Sequence, residues 1–163
     1  GPTHTVIPVG CDQDSHLRLA RDLSQRIKTS KFIQISSTYH KFLIALNGAK
    51  MSSSDHTSYI ALTDSPEEAA KKIQKYAFSG GQPTIEEHRK KGGNPDIDSS
   101  FQLLKYGLEE NNKKLEEIYN NYKNGSLLTS ELKAIVIEKL NKFLKNHQKS
   151  REKAKKEISK LNL

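Results

Sequence analysis

The sequence predicts a mainly α-helical chain in two parts, an α/β segment over residues 1–64 and an all-α segment over 65–163. Three observations carry this reading. Strand-like runs occur only before Asp64. From Ser65 onward, helix-start and helix-stop signals alternate. A stripe of apolar residues spaced three and four apart then runs through the last segment. The length of 163 residues suits one compact domain or two small ones.

Thr5–Val9 (TVIPV) reads as a short buried strand. Gly10–Gln13 follow as a turn, and Asp14 or Ser15 opens a helix whose apolar face is Leu17, Leu19, Ala20, Leu23 and Ile27. Phe32–Ile35 is expected as a second strand, His40–Leu46 as a short amphipathic turn or helix, and Ser58–Leu62 as a third strand. Asn47–Ser54, with Gly48, Lys50 and three serines in a row, reads as a loop. Ser65-Pro66-Glu67-Glu68 is a strong helix start, with a serine cap, proline in the first position and acids in the first turn. That helix is expected to reach Phe78 and stop at Gly80-Gly81. Thr84 with Glu87 suggests a capped helix to about Lys91. Another helix starts at Asp96 or Asp98 and runs through Leu108, a further one spans 112–123, and Thr129 is expected to cap a long last helix.

The hydrophobic fraction of 34% and the charged fraction of 28% suit a modest core. No apolar run approaches the ~18 residues of a membrane span, and no membrane partner is expected. The single Cys11 excludes an internal disulfide and points weakly to a reducing compartment. The histidines at 4, 16, 40, 56, 88 and 147 are scattered without zinc spacing, so no protein-ligated metal is expected. The net charge is +8, and residues 139–163 carry nine basic residues against Glu152 and Glu157. Such a basic helix suits a polyanion such as RNA, or is simply a solvated lysine-rich end.

Two or three short strands with one good helix cannot make a covered parallel sheet. The first segment therefore reads as the second half of an α/β domain, followed by a complete helical domain.

Lys50-Met51-Ser52-Ser53-Ser54 places an ammonium beside three hydroxyls in a loop. That suits polyphosphate: the lysine offsets charge growing on a leaving pyrophosphate, and hydroxyls and backbone N–H groups hold the other oxygens. A polar surface loop is the plain alternative. KMSSS resembles the second signature of class I aminoacyl-tRNA synthetases. Val9-Gly10-Cys11-Asp12-Gln13-Asp14 resembles the strand-end motif of the tryptophanyl and tyrosyl branch. Tyr76-Ala77-Phe78-Ser79-Gly80-Gly81, Thr84-Ile85-Glu86-Glu87-His88-Arg89, Gly92-Gly93-Asn94-Pro95-Asp96-Ile97-Asp98 and Leu127-Leu128-Thr129-Ser130-Glu131-Leu132-Lys133 then follow in the order found in archaeal and eukaryotic tryptophanyl-tRNA synthetases.

The resemblance implies a Rossmann-type catalytic remnant over 1–64 and a helical anticodon-binding domain over 65–163, the C-terminal portion of a cytoplasmic tryptophan–tRNA ligase. It implies ATP as substrate with Mg2+ held mostly by its phosphates. Lys50 is then the catalytic residue, and Met51, Ser52, Ser53 and Ser54 shape the ATP loop. Asp12 helps hold substrate or the ATP ribose, and Gln13 contacts tryptophan. Asp12 and Asp14 can equally serve as helix caps. Thr129 and Lys133 match positions that face the anticodon of tRNA-Trp. Gln82-Pro83 stands where the family usually has Arg-Asp aimed at the anticodon; Gln82 can still hydrogen-bond a base edge, without the charge and the carboxylate of that pair. No His-X-Gly-His pattern occurs, so the resemblance implies that tryptophan and ATP are engaged only together with an N-terminal half. Whole enzymes of the family are homodimers. A non-catalytic tRNA-binding fragment is the alternative.

Overall fold

The computed structural model describes residues 2–29, 31–41 and 43–158. Two compact units result, Gly1–Leu43 and Ile44–Leu163. The expected boundary at residue 64 is corrected by this division. Residues 44–64 belong with the helices because their backbone is bonded to them. The Leu46 carbonyl accepts from Phe78 N–H at 2.8 Å, and the Leu62 and Asp64 carbonyls accept from Gln148 at 3.0 and 2.8 Å.

Unit 1 is a strand–helix–strand element. Strand β1 (Val6–Gly10) passes through a 3-10 turn (Cys11–Gln13) into helix α1 (Asp14–Arg26), and β2 (Ser36–His40) returns parallel to β1, with Val6 opposite Ser36 and Gly10 opposite His40. A parallel pair requires such a crossover. The second strand was expected at Phe32–Ile35 and lies four residues later. Pairing register, which apolarity does not report, decides this. Ser36 N–H donates to the Thr5 carbonyl, and Arg21 bonds the Ile35 carbonyl at 2.9 Å and the Ser37 hydroxyl at 2.6 Å, tying α1 to the strand. Of the expected apolar face of α1 only Leu17 is buried, while Leu19 and Leu23 remain 57% and 45% exposed. Two strands are too narrow to cover a helix of this length.

Unit 2 packs α2 (Pro66–Tyr76), α3 (Ile85–Lys91), α4 (Ser99–Leu103), a π-helical turn (Leu104–Leu108) and α5 (Asn112–Lys123) around the long α6 (Thr129–Ile158). Its core joins Ile73, Phe101, Leu104, Ile118, Tyr122, Leu132, Val136, Leu140 and Leu144. The caps form largely where the sequence placed them. Ser65 and Glu68 close a reciprocal capping box, Thr84 accepts from Glu87 N–H, and Asp98 accepts from Ser100 and Phe101 N–H.

Four expectations fail for local reasons. The expected strand Ser58–Leu62 does not form: Tyr59–Ala61 is an irregular stretch between two turns, where the Asp64 carboxylate takes Ala61 N–H and the Asp55 carbonyl takes Ser58 N–H. The expected helical turn His40–Leu46 does not form among its described residues, and Phe42 lies outside them; His40 ends β2 and Leu46 bonds Ser58 and Phe78. Helix α2 stops at Tyr76, since Phe78 N–H turns to Leu46. The helix expected through Leu108, by contrast, does reach it, its last five residues widened into the π turn closed by Glu109 N–H on the Leu104 carbonyl at 3.0 Å. Thr129 is also not a cap. It is the first residue of α6, and Glu131 reaches back to Leu128 N–H at 2.7 Å.

Candidate active site

The KMSSS segment is a short exposed loop on a bonded stem. Lys50 and Ser52 to Ser54 are exposed, as is Met51 at 48%. Lys50 has no hydrogen-bond or ion-pair partner among the described residues. Below it, Ser58 is fully buried and its hydroxyl is the hub of the stem. It accepts from Ser52 N–H at 3.1 Å and lies 2.9 and 2.7 Å from the carbonyls of Ser52 and Asp55. One hydroxyl proton serves those two carbonyls as a shared bond.

Asp55 fixes the other side of the stem. One carboxylate oxygen accepts from the Thr57 amide and hydroxyl, at 2.9 and 2.7 Å, and the other from Asn47 at 3.1 Å. These bonds, the Thr57 hydroxyl foremost, hold the Asp55 carboxyl below its ordinary value. Asn47 in turn accepts from Ala49 N–H. At the head, Ser52 and Ser54 hydroxyls are 2.9 Å apart. The stem therefore positions Lys50, and the two linked hydroxyls, without using the lysine in the fold. Asn47, Asp55 and Ser58 were not singled out in the sequence. The Asp55-His56-Thr57 triplet was the available signal, since an aspartate bonding its own backbone two residues on makes an Asx turn.

In unit 1, Asp12 and Gln13 sit in the 3-10 turn just past the carboxyl end of β1. Both are exposed, and their side chains have no hydrogen-bond partner among the described residues. Asp12 does not cap α1. Gln13 occupies the cap position with no side-chain bond. Asp14, by contrast, is committed to the fold: it accepts from Tyr39 at 2.5 Å and pairs with Arg18 at 2.6 Å, and the Tyr39 bond leads in lowering its pKa.

The three candidate anticodon residues are employed inside unit 2. Lys133 donates to the carbonyls of Gln74 and Ala77 at 3.2 and 3.1 Å, closing the C-terminal end of α2, and burial pushes its pKa down. Thr129 joins a buried polar cluster with Tyr122 at 3.1 Å and Ser79 at 3.3 Å. Gln82 donates to the Gly92 carbonyl at 3.1 Å. The cluster centres on Asp98, fully buried, which accepts from Gly80 N–H at 2.9 Å and Tyr122 at 2.8 Å as well as capping α4. Burial leads in pushing the Tyr122 phenol up to about 12. Buried His88 bridges the neighbouring blocks, with Gln82 N–H on its Nδ1 and the Leu127 carbonyl 3.0 Å from Nε2. A side chain at Gly81 would collide with the Thr129 hydroxyl. The Ser-Gly-Gly, Glu-Glu-His-Arg and Gly-Gly-Asn-Pro-Asp blocks thus form one internal network.

Among the described residues no three His, Cys, Asp or Glu side chains stand together as a metal site, and no helix is long and apolar enough to cross a membrane.

The family model for tRNA synthetases class I (W and Y) matches residues 2–145. The chain belongs to this family. The tryptophan–tRNA ligase of Sulfurisphaera tokodaii is 53% identical over 156 residues, which are 94% of this chain and 40% of that protein. The cytoplasmic tryptophan–tRNA ligase of Saccharomyces cerevisiae is 43% identical over 91% of this chain and 34% of its own length. The crystal structure of tryptophanyl-tRNA synthetase from Aeropyrum pernix superposes with a TM-score of 0.91 at 43% identity, over 97% of this chain and 43% of that one. The chain spans about 40% of the length of the first of these relatives.

These matches correct the expectation of a C-terminal portion made of a catalytic remnant and a separate anticodon-binding domain. One class I family model runs unbroken across the expected boundary at 64, through α2 to α5 and into α6, and the match is assigned to the catalytic portion.

Proposed function

We propose that the chain is a catalytic portion of a tryptophan–tRNA ligase and that the loop from Lys50 to Ser54 receives the phosphates of ATP. The observation that carries this is Lys50, exposed and without a partner among the described residues, at the head of a loop whose stem is fixed by buried Ser58. A lysine spent on a structural ion pair would not support it.

In the first step a tryptophan carboxylate oxygen attacks the α-phosphorus of ATP. The bond to the bridging oxygen breaks, and pyrophosphate leaves with the electron pair. The Lys50 ammonium neutralises the charge gathering on the leaving oxygens, where a fixed cation gains more than on the ground state. Met51 shapes the loop, and Ser52, Ser53 and Ser54 offer hydroxyls and N–H groups to the remaining oxygens. Mg2+ enters with ATP as part of the substrate, held by the phosphates. In unit 1, Gln13 contacts tryptophan and Asp12 helps hold substrate or the ATP ribose. Their place beyond the carboxyl end of a parallel strand is where ligands bind in open α/β sheets. The tryptophanyl group then passes to tRNA-Trp, in the cytoplasm.

The test is a graft. The matching segment of the Sulfurisphaera tokodaii ligase is replaced by residues of this chain, and tryptophan-dependent ATP–pyrophosphate exchange is measured. The graft is expected to exchange. Lys50→Ala within it is expected to lower kcat about 10²-fold with a small change in KM, the behaviour of a group that acts on the transition state. A Lys50→Ala graft as active as the parent rules the role out.

A further inference from the structure

The candidate ATP loop holds a single fixed cation, since Lys50 is the only Lys or Arg between Asn47 and Thr57. The next side chain able to carry positive charge is His56, to which the adenylation reading gives no role. Two consecutive turns set its place. Asp55 N–H donates to the Ser52 carbonyl at 3.2 Å, and Ser58 N–H donates to the Asp55 carbonyl at 3.0 Å. Ser53 and Ser54 are the central residues of the first turn, and His56 and Thr57 of the second. The turns share Asp55, and the buried Ser58 hydroxyl lies 2.9 and 2.7 Å from the two carbonyls that open them. The Ser54 and His56 Cα atoms are at most about 7 Å apart, the reach of two extended residues. The serine head and the imidazole therefore stand side by side on one bonded base.

His56 is exposed, and its ring is held from one edge. Nδ1 lies 2.9 Å from the Tyr59 hydroxyl, and the two rings are 5.9 Å apart and tilted by 52°. Nε2 has no hydrogen-bond partner among the described residues. A phenol donates to a bare ring nitrogen or accepts from a protonated one, so the ring keeps this anchor in both of its charge states. With Nδ1 accepting, the neutral ring carries its proton on Nε2, and the charged ring carries one there as well. The open edge thus presents an N–H donor in either state, and a charged donor as pH falls. The charges nearby are already committed. The Asp55 carboxylate is engaged by Thr57 and Asn47. Lys72 of α2 lies 5.3 Å over the Tyr59 ring and is paired with Asp64 at 2.7 Å. The remaining charge on the loop is Lys50, of the same sign as the imidazolium. Two like charges on one short loop call for an anion with several charges, and a polyphosphate is that anion.

We propose that His56 is a second, pH-dependent phosphate-binding residue of the ATP loop, its Nε2 N–H donating to the polyphosphate of ATP, with Tyr59 as the residue that positions the ring. The proposal rests on the adenylation reading and adds a residue to that site.

The test uses the Sulfurisphaera tokodaii graft with saturating Mg2+. KM for ATP is measured at about pH 6 and about pH 8, across the range in which histidine changes charge. Protonation of ATP itself affects every protein alike and cancels in the ratio of variant to parent. His56→Gln keeps a neutral donor and cannot become charged. It is expected to raise KM about fivefold at the lower pH and about 1.5-fold at the higher, with kcat changed less than about twofold, as for a group that binds ground state and transition state alike. Tyr59→Phe keeps a ring beneath Lys72 and removes the anchor, and is expected to raise KM about twofold at the lower pH.

A second measurement needs no activity. Inorganic tripolyphosphate is titrated into the full chain at the lower pH while the histidine ring resonances are followed by NMR. The His56 signal is the one missing from His56→Gln, and it is expected to move saturably. Lys50→Ala is expected to weaken that titration without abolishing the movement. An unmoved His56 signal, or a His56→Gln effect on KM that is absent or equal at the two pH values, overturns the proposal. Exchange that survives Lys50→Ala, or a graft that does not exchange, counts instead against the adenylation reading, and the tripolyphosphate titration still decides whether His56 binds phosphate.

Discussion

Ser58 is the residue on which the candidate ATP loop most depends, and it looks unremarkable in a sequence already rich in serine. Its hydroxyl is buried and bonded to Ser52 and Asp55, so Ser58→Ala leaves Ser52 N–H without its acceptor. The expected cost is about 1–3 kcal/mol in urea unfolding, with faster hydrogen exchange at Ser52. Unchanged exchange there would show that the stem is held by something else. Lys50 was legible because its chemistry is written in its side chain. Ser58 was not, since burial decides its role and burial is a property of the folded chain. Tyr122 gives a second test at this scale. Its folded pKa of about 12 lies above the ordinary 10.0, so the folded state holds the phenolic proton more tightly. That stabilisation is fully present below pH 10, and it is lost as pH rises through about 12. The urea midpoint of the wild type should therefore fall between pH 9.5 and about 11.5. Tyr122→Phe should be less stable at pH 8, from loss of the Asp98 and Thr129 bonds, and should decline less steeply with alkali: Tyr119, whose bond to Asp96 raises its pKa, still lowers stability as pH rises, while Lys133, its pKa lowered by burial, acts in the opposite sense. An equally steep decline in the variant would assign the alkaline loss to other groups.

Among the elements, those with local punctuation were legible and those defined by pairing were not. Helices α2, α3 and α5 begin where Ser65, Thr84 and Asn111 cap them, because capping involves residues three apart. Strand β2 and the missing third strand depended on which backbone lay opposite, which no apolar run encodes. The end of α2 shows the same rule from the other side. Its last carbonyls are satisfied by Lys133, 56 residues away in sequence from Ala77. Lys133→Met keeps the apolar stem and removes the donor. It is expected to cost about 1–3 kcal/mol and to speed exchange at the amides of the last turn of α2. If the variant instead keeps full stability and loses RNA affinity, the lysine faces a ligand rather than the helix end.

At the scale of the whole chain, the division at Leu43 and Ile44 carries a consequence for folding. Every residue of the main apolar core, from Leu46 to Leu144, lies in unit 2. Unit 1 buries Leu17 but leaves Leu19, Leu23, Val6 and Tyr39 largely exposed, too little apolar burial to order a strand–helix–strand element of its size strongly. The sequence placed the break at 64 because strand-like residues continue that far. The fold places it earlier because residues 44–64 find their hydrogen-bond partners among the helices. A chain of residues 44–163 alone is accordingly expected to unfold in a single cooperative transition, with its near-UV signal retained and a melting temperature within a few degrees of the full chain. In the full chain, amides of β1, α1 and β2 should exchange faster than those of α2 and α6. A 44–163 fragment with helical content but no cooperative melt and no near-UV signal would mean that the core of unit 2 is completed by unit 1, and the loop stem beneath Lys50 would then have to be understood as a property of both units together.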